Sequence, residues 1–454
     1  MRGQYAAGGP HSTSGLRPAG GPGPAGAADP VGGPHSMGGP QPAGGLGPAG
    51  AVPDRAGAPH PTGAPHPAGG PAAPPAPAPG AFPGGPELFR LDPAVAHLNH
   101  GSYGAVPVPV ARLRSALDEE SAADPDRFFR DVPDRLAEAR GRIAAHLGTP
   151  AEGLAFVANA TEAANLALDA LRLETGDEIL VTDHGYGTVV TAAARRAPLT
   201  TVALDPDLPD EDAVCAAVLA GITPRTRVAL LDQISSPTAR PLATPRLLAE
   251  LRARGITTVV DGAHAPGMLA DPLAGTPDLW FGNLHKWAYA APGTAVLAVA
   301  PGFRPRIPAP VPSWEAERGF PRAVEFRATA DYTGWLSAPE GLDLIERLGA
   351  AHVRAHNAAL VAHGAELLAR LPGLRPLPYD ERLAMRSLRL PPTVARTQAE
   401  AAALREEIAA RLGCRILVWP RPDGGGVRIS GQIYNRPEEY EHLTTGLGKL
   451  LDRG

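Results

Sequence analysis

The sequence predicts an α/β protein in which a mostly parallel sheet lies between layers of helices. Two observations support this. Short apolar runs alternate with amphipathic stretches from residue 87 onward, and polar side chains directly follow several of the apolar runs. A strand covered on both faces is a nearly continuous apolar run, and parallel neighbours are usually joined by a helix. The alternation therefore indicates repeated strand–helix–strand units.

The elements of the large domain, expected at 87–338 and including an N-terminal segment, follow from this pattern. Its predicted strands are 154–158, 178–182, 227–232, 256–261, 279–281 and 294–299. Helices are predicted between them at 161–172 and 245–254. We therefore expect a sheet of the seven-stranded type between helices.

The pattern changes after residue 338. A helix rich in Ala, Leu, Arg and His is predicted at about 339–371. Beyond it, shorter apolar runs predict strands at 386–390, 415–419 and 426–430. Residues 339–454 are therefore predicted to form a small C-terminal α/β domain.

Residues 1–86 differ in composition from the rest of the chain. They consist mainly of Gly, Pro and Ala with a few His, in repeats such as 63–69. Such a segment has too little apolar surface to offset the entropy lost on ordering, so it is predicted to be a disordered tail. Its scattered His residues lack Cys or paired carboxylates, and no metal site is expected.

Charge and hydropathy argue against two classes of partner. The chain has 42 Lys and Arg against 47 Asp and Glu, a formal net charge of −5, which gives no reason to expect nucleic acid or an anionic membrane. No apolar run approaches the ~18 residues needed to span a bilayer. The first residues lack the apolar core of a secretory signal, and the two Cys offer no disulfide framework. A cytoplasmic protein is expected.

Two polar residues indicate the chemistry. Asp261 ends the predicted strand 256–261, and Lys286 follows the strand 279–281. Ligands of open α/β sheets bind at the carboxyl ends of the strands. A carboxylate keeps a pyridine nitrogen protonated, and a desolvated Lys forms a Schiff base with an aldehyde. Pyridoxal 5'-phosphate is the cofactor that needs both groups.

Each of these residues also has an ordinary structural explanation. Asp after an apolar strand is often a helix N-cap, and Lys is usually a solvated surface residue. Lys286, however, is bracketed by His285, Trp287 and Tyr289. A free ammonium is costly in such surroundings, which favours a functional role.

The phosphate group is expected at the helix that follows the strand 154–158. Ala160 and Thr161 open this helix, where backbone N–H groups and a hydroxyl can bind an anion. An ordinary helix N-cap is the alternative. Asn283 and His285 lie beside Lys286 in the sequence and can supply further donors.

Three more residues complete the predicted site. Tyr186, in a turn between two glycines after another strand, is expected to stack on the cofactor ring. His264, three residues after Asp261, can reach the phenolic oxygen of the ring. Arg428, on a strand of the small domain, can bind a substrate carboxylate through its planar fork. A turn Tyr, a structural His and a surface-strand Arg are the alternatives.

Six motifs occur along the chain. They are 98–104 (Leu-Asn-His-Gly-Ser-Tyr-Gly), 159–162 (Asn-Ala-Thr-Glu), 261–264 (Asp-Gly-Ala-His), 281–286 (Phe-Gly-Asn-Leu-His-Lys), 329–332 (Thr-Ala-Asp-Tyr) and 427–435 (Val-Arg-Ile-Ser-Gly-Gln-Ile-Tyr-Asn). Their order resembles the class V aminotransferase family of fold-type I pyridoxal phosphate enzymes, and within it the isopenicillin N epimerase-like branch. The similarity runs from about residue 89 to the C-terminus.

The resemblance implies a role for each residue of the site. It makes Lys286 the cofactor lysine, Asp261 the pyridinium partner and Tyr186 the stacking residue, and it implies these three as the catalytic residues. Thr161, Asn283 and His285 would hold the phosphate, and Arg428 the substrate carboxylate, with Asn99 and His100 also at the substrate.

The resemblance also implies a homodimer with active sites at the subunit boundary. In such a dimer Thr329 would reach the cofactor of the partner subunit. The family has Gly where this chain has Ala328, which affects the approach of that loop.

The reaction itself is open at this point. The expected activity is isopenicillin N epimerase-like chemistry at the Cα of an amino acid or small peptide, with Tyr186 or His184 as candidates for a second base. The alternatives are a C–S lyase of the hercynylcysteine sulfoxide lyase or cysteine desulfurase type and, outside enzymes, a cofactor-binding regulatory protein. A desulfurase needs a reactive Cys, whereas Cys414 begins an apolar run typical of a buried strand.

Overall fold

The structure, a computed structural model, describes residues 79–452 of the chain. Its strands are β1 (Ala96–His97), β2 (Leu154–Val157), β3 (Glu178–Thr182), β4 (Leu199–Val202), β5 (Thr226–Asp232), β6 (Thr257–Asp261), β7 (Leu279–Asn283), β8 (Ala295–Val299), β9 (Arg375–Pro376), β10 (Met385–Arg389), β11 (Cys414–Arg415), β12 (Leu417–Trp419) and β13 (Gly426–Ser430). Its helices are α1 (Val108–Ala123), α2 (Pro125–Leu147), α3 (Ala160–Asp169), α4 (Gly187–Ala194), α5 (Glu211–Ala220), α6 (Pro245–Ala253), α7 (Arg322–Glu325), α8 (Thr333–Leu336), α9 (Ala338–Arg347), α10 (Ala350–Leu368), α11 (Gln398–Leu412) and α12 (Pro437–Leu451).

Seven strands form the central sheet, in the order β2-β8-β7-β6-β5-β3-β4. All neighbours are parallel except those of β8, which is antiparallel to both β2 and β7. Successive residues of β6 pack into different core layers, Val259 into one and Val260 into the other. The predicted fold class, a mostly parallel sheet with helices on both faces, is therefore confirmed.

One strand of the sheet was not predicted. β4 lies at the sheet edge and has the sequence Leu-Thr-Thr-Val, of which only Val202 is buried. An edge strand of this kind lacks the apolar run that identified the six others.

The single long helix expected at about 339–371 is wrong. The structure has two helices there, because α9 ends at Arg347 and α10 begins at Ala350. Between them Gly349 has φ +83°, a left-handed backbone conformation that glycine adopts without steric cost.

The C-terminal part contains a second sheet, antiparallel, in the order β12-β13-β10-β9. The N-terminal strand β1 pairs with β11, and Leu98 is buried in the same cluster as Ile429. Residues 96–98 therefore share a core with the C-terminal part, and the division of the chain at residue 338 remains a prediction. Among residues 79–452 no helix is both long and apolar enough to cross a bilayer.

Most of the expected tail, residues 1–78, lies outside the described residues. Its last part is described, and Phe82 is buried with 4% of its surface exposed. The Phe82 ring packs on α10, with centroid distances of 5.0 Å to His352 and 5.1 Å to His356. Packing against the folded part thus begins before residue 87.

We expect Phe82→Ala to lower the free energy of unfolding by about 3 kcal/mol, because it leaves a cavity between the segment and α10. Trp314→Ala is the control, since Trp314 is 91% exposed and its loss should change stability by less than about 0.5 kcal/mol. Chemical denaturation of both variants measures the difference. Equal stabilities of the two would mean that Phe82 does not anchor the segment.

Candidate active site

The carboxyl ends of β5, β6 and β7 bring three polar residues together. Asp232, Asp261 and Asn283 are the last residues of these strands, and Asp232 lies opposite Asp261 in the register. Lys286 follows β7 after two residues. All four line one cavity of about 150 Å³. Its other lining residues are Ser102, Tyr103, Asn159, Ala160, Thr161, Tyr186, Ile234, Ser236, Ala263, His264 and His285.

Lys286 is held in surroundings that favour its neutral form. Burial lowers the pKa of the Lys286 amine to about 8, and the positive charge of Arg428 adds to this effect. Asp261 and Asp232 act in the opposite direction. The amine nitrogen Nζ lies 3.5 Å from Nε2 of His264. An amine with this pKa is partly uncharged near neutral pH, so it can act as a nucleophile or a base.

Asp261 is a buried carboxylate without a cation bonded to it. Its Oδ1 accepts a hydrogen bond from the Ala263 backbone N–H at 2.9 Å, and burial raises the pKa of Asp261 to about 6. A protonated ring nitrogen would supply the missing positive charge.

Asp232 was missed as a candidate. Burial raises its pKa well above the ordinary value, and the charge of Asp261 raises it further. Two buried carboxyl groups at opposite positions of adjacent strands favour a shared proton. The signal was available, because Asp232 ends the run 227–232 as Asp261 ends 256–261.

The predicted phosphate residues gather at the start of α3. The side chain of Asn159 caps the helix by accepting from the Glu162 N–H, and the Ala160 N–H donates to Asn283 Oδ1 at 2.9 Å. Thr161 Oγ1 lies 3.3 Å from the hydroxyl of Thr188, a residue that sequence reasoning missed. Hydroxyls at a helix N-terminus suit a phosphate group.

His285 lies in the same cavity and is oriented by a backbone contact. Its Nδ1 donates to the Thr294 carbonyl at 3.0 Å, and burial lowers its pKa. The Ala160 amide is already satisfied by Asn283. The groups left for an anion are thus the Thr161 hydroxyl and the remaining amides of α3, since a neutral His285 that donates through Nδ1 has no second N–H to offer.

Tyr186 stands at the mouth of the cavity. It is 48% exposed and immediately precedes α4. His184, the other candidate for a second base, is buried: its Nε2 donates to the Leu204 carbonyl at 3.1 Å and its Nδ1 lies 3.2 Å from Thr238 Oγ1. His184 is not among the residues that line the cavity. The structure therefore favours Tyr186 of the two.

His264 is enclosed between Lys286 and Trp287. Its Nδ1 accepts from Trp287 Nε1 at 3.5 Å, and burial lowers its pKa well below the ordinary value. It is therefore a neutral imidazole beside the amine of Lys286.

Arg428 is a fully buried cation on β13. Its Nη1 donates to the Ser236 carbonyl at 2.6 Å, and its Nη2 donates to Asn99 Oδ1 at 2.9 Å and to Ser102 Oγ at 3.0 Å. Its Nε is buried without a hydrogen-bond partner. Within residues 79–452 no carboxylate forms an ion pair with it, and burial lowers its pKa to about 10. A buried guanidinium held only by neutral groups keeps a positive charge that would attract an anion, although Arg428 itself does not line the cavity of Lys286.

Asn99 thus contacts Arg428, whereas the next residue, His100, contacts the backbone of Lys286. Its Nε2 donates to the Lys286 carbonyl at 3.0 Å, and its ring packs on Trp287 with centroids 4.8 Å apart. Burial lowers the pKa of His100 to about 4, so it is neutral. His100 supports the backbone of Lys286.

Two glycines allow this segment to pass between Arg428 and Lys286. A Cβ on Gly101 would lie 2.6 Å from the sulfur of Met385 and 3.1 Å from Nη2 of Arg428. A Cβ on Gly104 would lie 2.7 Å from the carbonyl oxygen of Lys286. The distances of 2.6 Å and 2.7 Å are too short for a side chain, which explains the glycines of the motif 98–104.

Thr329 does not join the cavity of its own chain. It is exposed and is absent from the lining residues. Ala328 beside it has φ +56°, and its carbonyl accepts from the Tyr332 hydroxyl at 2.8 Å. The loop thus keeps a glycine-like conformation without glycine.

Cys414 is buried on β11. Its Sγ donates to the Leu412 carbonyl at 3.5 Å, and burial raises its pKa to about 11. Such a thiol is almost entirely protonated near neutral pH and is a poor nucleophile.

Comparison with known proteins gives four findings. Residues 127–443 match the family described as aminotransferase class V. An isopenicillin N epimerase of Streptomyces clavuligerus is 36% identical over 387 residues, 79% of this chain and 96% of that protein. A probable chloroplastic L-cysteine desulfhydrase of Arabidopsis thaliana is 26% identical over 81% of this chain and 85% of that protein. Among solved structures, a cystine C–S lyase in complex with cysteine persulfide superimposes with a TM-score of 0.69 at 20% identity, covering 81% of this chain and 99% of that one.

We expect the protein freed of bound small molecules to capture pyridoxal 5'-phosphate at a rate that rises with pH to a plateau, with a midpoint near 8. Only the neutral amine reacts, and the pKa of Lys286 is lowered to about 8. Arg428→Gln should move the midpoint upward, since the positive charge of Arg428 helps to lower that pKa. Stopped-flow absorbance measures the rate, with Arg411→Gln as the control. A midpoint near 10, the ordinary Lys value, would contradict the prediction.

Proposed function

This chain belongs to the class V aminotransferase family, and on that premise we propose that it acts as a pyridoxal 5'-phosphate-dependent enzyme at the Cα of an amino acid, in the manner of the isopenicillin N epimerases. The observation that supports the proposal is the combination of Lys286, whose pKa is lowered toward neutral pH, with a buried Arg428 that forms no ion pair with a carboxylate of residues 79–452. These two groups are what an amino-acid substrate requires: a base for the Cα proton and a cation for the α-carboxylate.

The cavity fits the cofactor. Asp261 offers a buried carboxylate for the ring nitrogen, Lys286 an amine for the aldehyde, and Thr161, Asn283 and His285 surround the place of the phosphate. Tyr186 would cover the ring. When bound, pyridoxal phosphate supplies an electron sink for the pair left at Cα after a bond there breaks.

The residues of the chain divide the remaining work. Arg428, with Asn99 and Ser102 at its Nη2, would hold the substrate carboxylate. Asp261 would keep positive charge on the ring nitrogen. Lys286 would take and return the Cα proton, since its pKa of about 8 lies close to neutral pH.

Epimerisation requires a proton to return on the opposite face of Cα. Tyr186 is the candidate that lines the cavity, and His184 is not. Asp232 is a second candidate proton donor, because burial and the charge of Asp261 favour its protonated form.

C–S cleavage is the second candidate function, favoured by the desulfhydrase relative. A desulfurase route through a persulfide on Cys414 is disfavoured by the buried, protonated state of that thiol. Elimination of a β-thiol group would need Lys286 but no Cys. A regulatory protein would not need to retain both the base at Lys286 and the positive charge of Arg428, which no carboxylate of residues 79–452 neutralises.

We further propose that two copies form a homodimer in the cytoplasm. The support is that Thr329, which the family pattern assigns to the cofactor, is exposed and does not line the cavity of its own chain. A partner subunit would bring its Thr329 to this site.

The cofactor assignment predicts covalent attachment at Lys286. Reduction of the holoenzyme with borohydride should fix the cofactor, and mass spectrometry of the digest should find a pyridoxyl group on the peptide that contains Lys286. Lys286→Ala should carry no such group, while Lys449→Ala, which changes a lysine of α12, should be labelled as the parent is. A pyridoxyl group on any other residue of the parent would contradict the assignment.

The reaction assignment predicts exchange of the Cα proton in deuterated water. We expect NMR to show exchange for an L-amino acid and conversion between its enantiomers, both lost in Lys286→Ala by at least ~10³-fold, because general base catalysis is removed. Cys414→Ser should leave both rates unchanged. Release of sulfide or pyruvate without racemisation would establish C–S cleavage instead, and dependence of that release on Cys414 would make the protein a desulfurase.

A further inference from the structure

The backbone carbonyl of Lys286 depends on a distant side chain for its shorter hydrogen bond. Lys286 lies in the connection between β7 and β8, where its carbonyl accepts from the Tyr289 backbone N–H at 3.4 Å. Nε2 of His100 lies closer, at 3.0 Å. Tyr289 has φ +60°, a conformation that a residue with a side chain rarely adopts. The turn that carries Lys286 is therefore held in part by contacts from outside it.

The proton of the His100 ring lies on Nε2. A carbonyl oxygen can only accept, so the contact with Lys286 requires a hydrogen on this nitrogen. The ring is neutral, because burial lowers the pKa of His100 to about 4. A neutral imidazole has one N–H, which leaves Nδ1 as an acceptor. The Tyr434 hydroxyl, 3.0 Å away, therefore donates to Nδ1.

A second group competes for Nε2 of His100. The side-chain amide nitrogen of Gln432 lies 3.3 Å from it and can only donate. The other end of this amide is fixed, because its Oε1 accepts from three donors. These are the Tyr289 hydroxyl at 2.5 Å, Asn357 Nδ2 at 3.0 Å and the Ile433 N–H at 2.8 Å. Gln432 thus favours a lone pair on Nε2, whereas the Lys286 carbonyl favours a proton there.

Tyr434 decides between these two arrangements. Its hydroxyl donates to Nδ1, and a nitrogen that accepts this bond carries no proton of its own. The other acceptor within reach of the hydroxyl, the His97 carbonyl, lies farther away at 3.5 Å. The buried Tyr434 ring packs edge-on against Phe89, with centroids 5.0 Å apart, which holds the hydroxyl in place. The His100 proton therefore stays on Nε2, facing Lys286.

We propose that Tyr434 is a positioning residue for Lys286 and acts through the tautomer of His100. By keeping the His100 proton on Nε2, Tyr434 fixes the carbonyl of Lys286, and with it the direction in which the Lys286 amine enters the cavity. The inference rests on the proposed function, because it concerns the residue that takes the Cα proton there. Tyr434 takes no part in the transfer of that proton.

The first test is a double-mutant cycle on the capture of pyridoxal 5'-phosphate by the protein freed of bound small molecules. Tyr434→Phe should lower the plateau rate about tenfold, since a small displacement of a reacting group is enough for such a loss. In a His100→Gln background the same substitution should have no further effect, because the Gln amide donates to the Lys286 carbonyl whatever residue 434 is. An equal loss in both backgrounds would overturn the proposal.

Tyr440→Phe is the control for the removal of a buried hydroxyl. The Tyr440 hydroxyl donates to the Ser430 carbonyl at 2.6 Å, so its loss should lower stability without changing the capture rate. Chemical denaturation of each variant measures the stability. A fall in the capture rate as large as that of Tyr434→Phe would mean that any buried hydroxyl of this part has the same effect, which contradicts a specific role of Tyr434.

The second test observes the tautomer itself. In NMR of the holoenzyme labelled with nitrogen-15 histidine, the His100 signals are those absent from His100→Gln, and their shifts distinguish a protonated from an unprotonated ring nitrogen. We expect the proton on Nε2 in the parent and a larger share on Nδ1 in Tyr434→Phe, where Gln432 can donate to Nε2. An unchanged tautomer in Tyr434→Phe would sink the proposal. If no amino acid exchanges its Cα proton, the proposed function fails, while the capture rates and the NMR spectra still decide the role of Tyr434.

Discussion

The burial of the Arg428 guanidinium without a carboxylate partner is the constraint on which the site depends. An unpaired charge in the interior costs several kcal/mol unless neutral dipoles replace its hydration. Here the replacement comes from Ser236 after β5 and from Asn99 and Ser102 near the N-terminus. These hydrogen bonds join three distant parts of the chain, namely the segment 99–102, Ser236 and Arg428 itself. The segment that supplies Asn99 and Ser102 also packs on Lys286.

The charges of the site are complementary to ligands rather than to each other. Lys286, Asp261 and Asp232 all have pKa values moved toward the neutral form, chiefly by burial. A ring cation and a carboxylate would each meet a group of opposite charge here, whereas a phosphate would meet the neutral hydroxyl and amides at the start of α3. Ligand binding then relieves the cost of burial, so occupancy and stability of the folded protein are linked.

The sequence predicted the fold class and six strands of the central sheet, because strands buried on both faces are continuous apolar runs. It missed β4, whose two threonines are typical of an edge, and it joined α9 to α10, because one left-handed Gly349 does not interrupt a helical composition. Residues at strand ends, such as Asp261, were found because the apolar runs show where each strand ends. Asp232 was overlooked, and the contact of Thr188 with Thr161 depends on tertiary packing that no local pattern encodes.

The pairing of β1 with β11 and the contact of Asn99 with Arg428 also set the order of events during synthesis. The ribosome delivers β1 long before β11 and β13, which carry its partners. Translation proceeds at about 5–20 residues per second, so the N-terminal segment waits for tens of seconds before its contacts exist. During that time the nascent chain already contains the strands that carry Asp261 and Lys286 but has no complete substrate pocket. Assembly of the pocket therefore waits for the synthesis of β11 and β13, and a product released before β13 lacks Arg428.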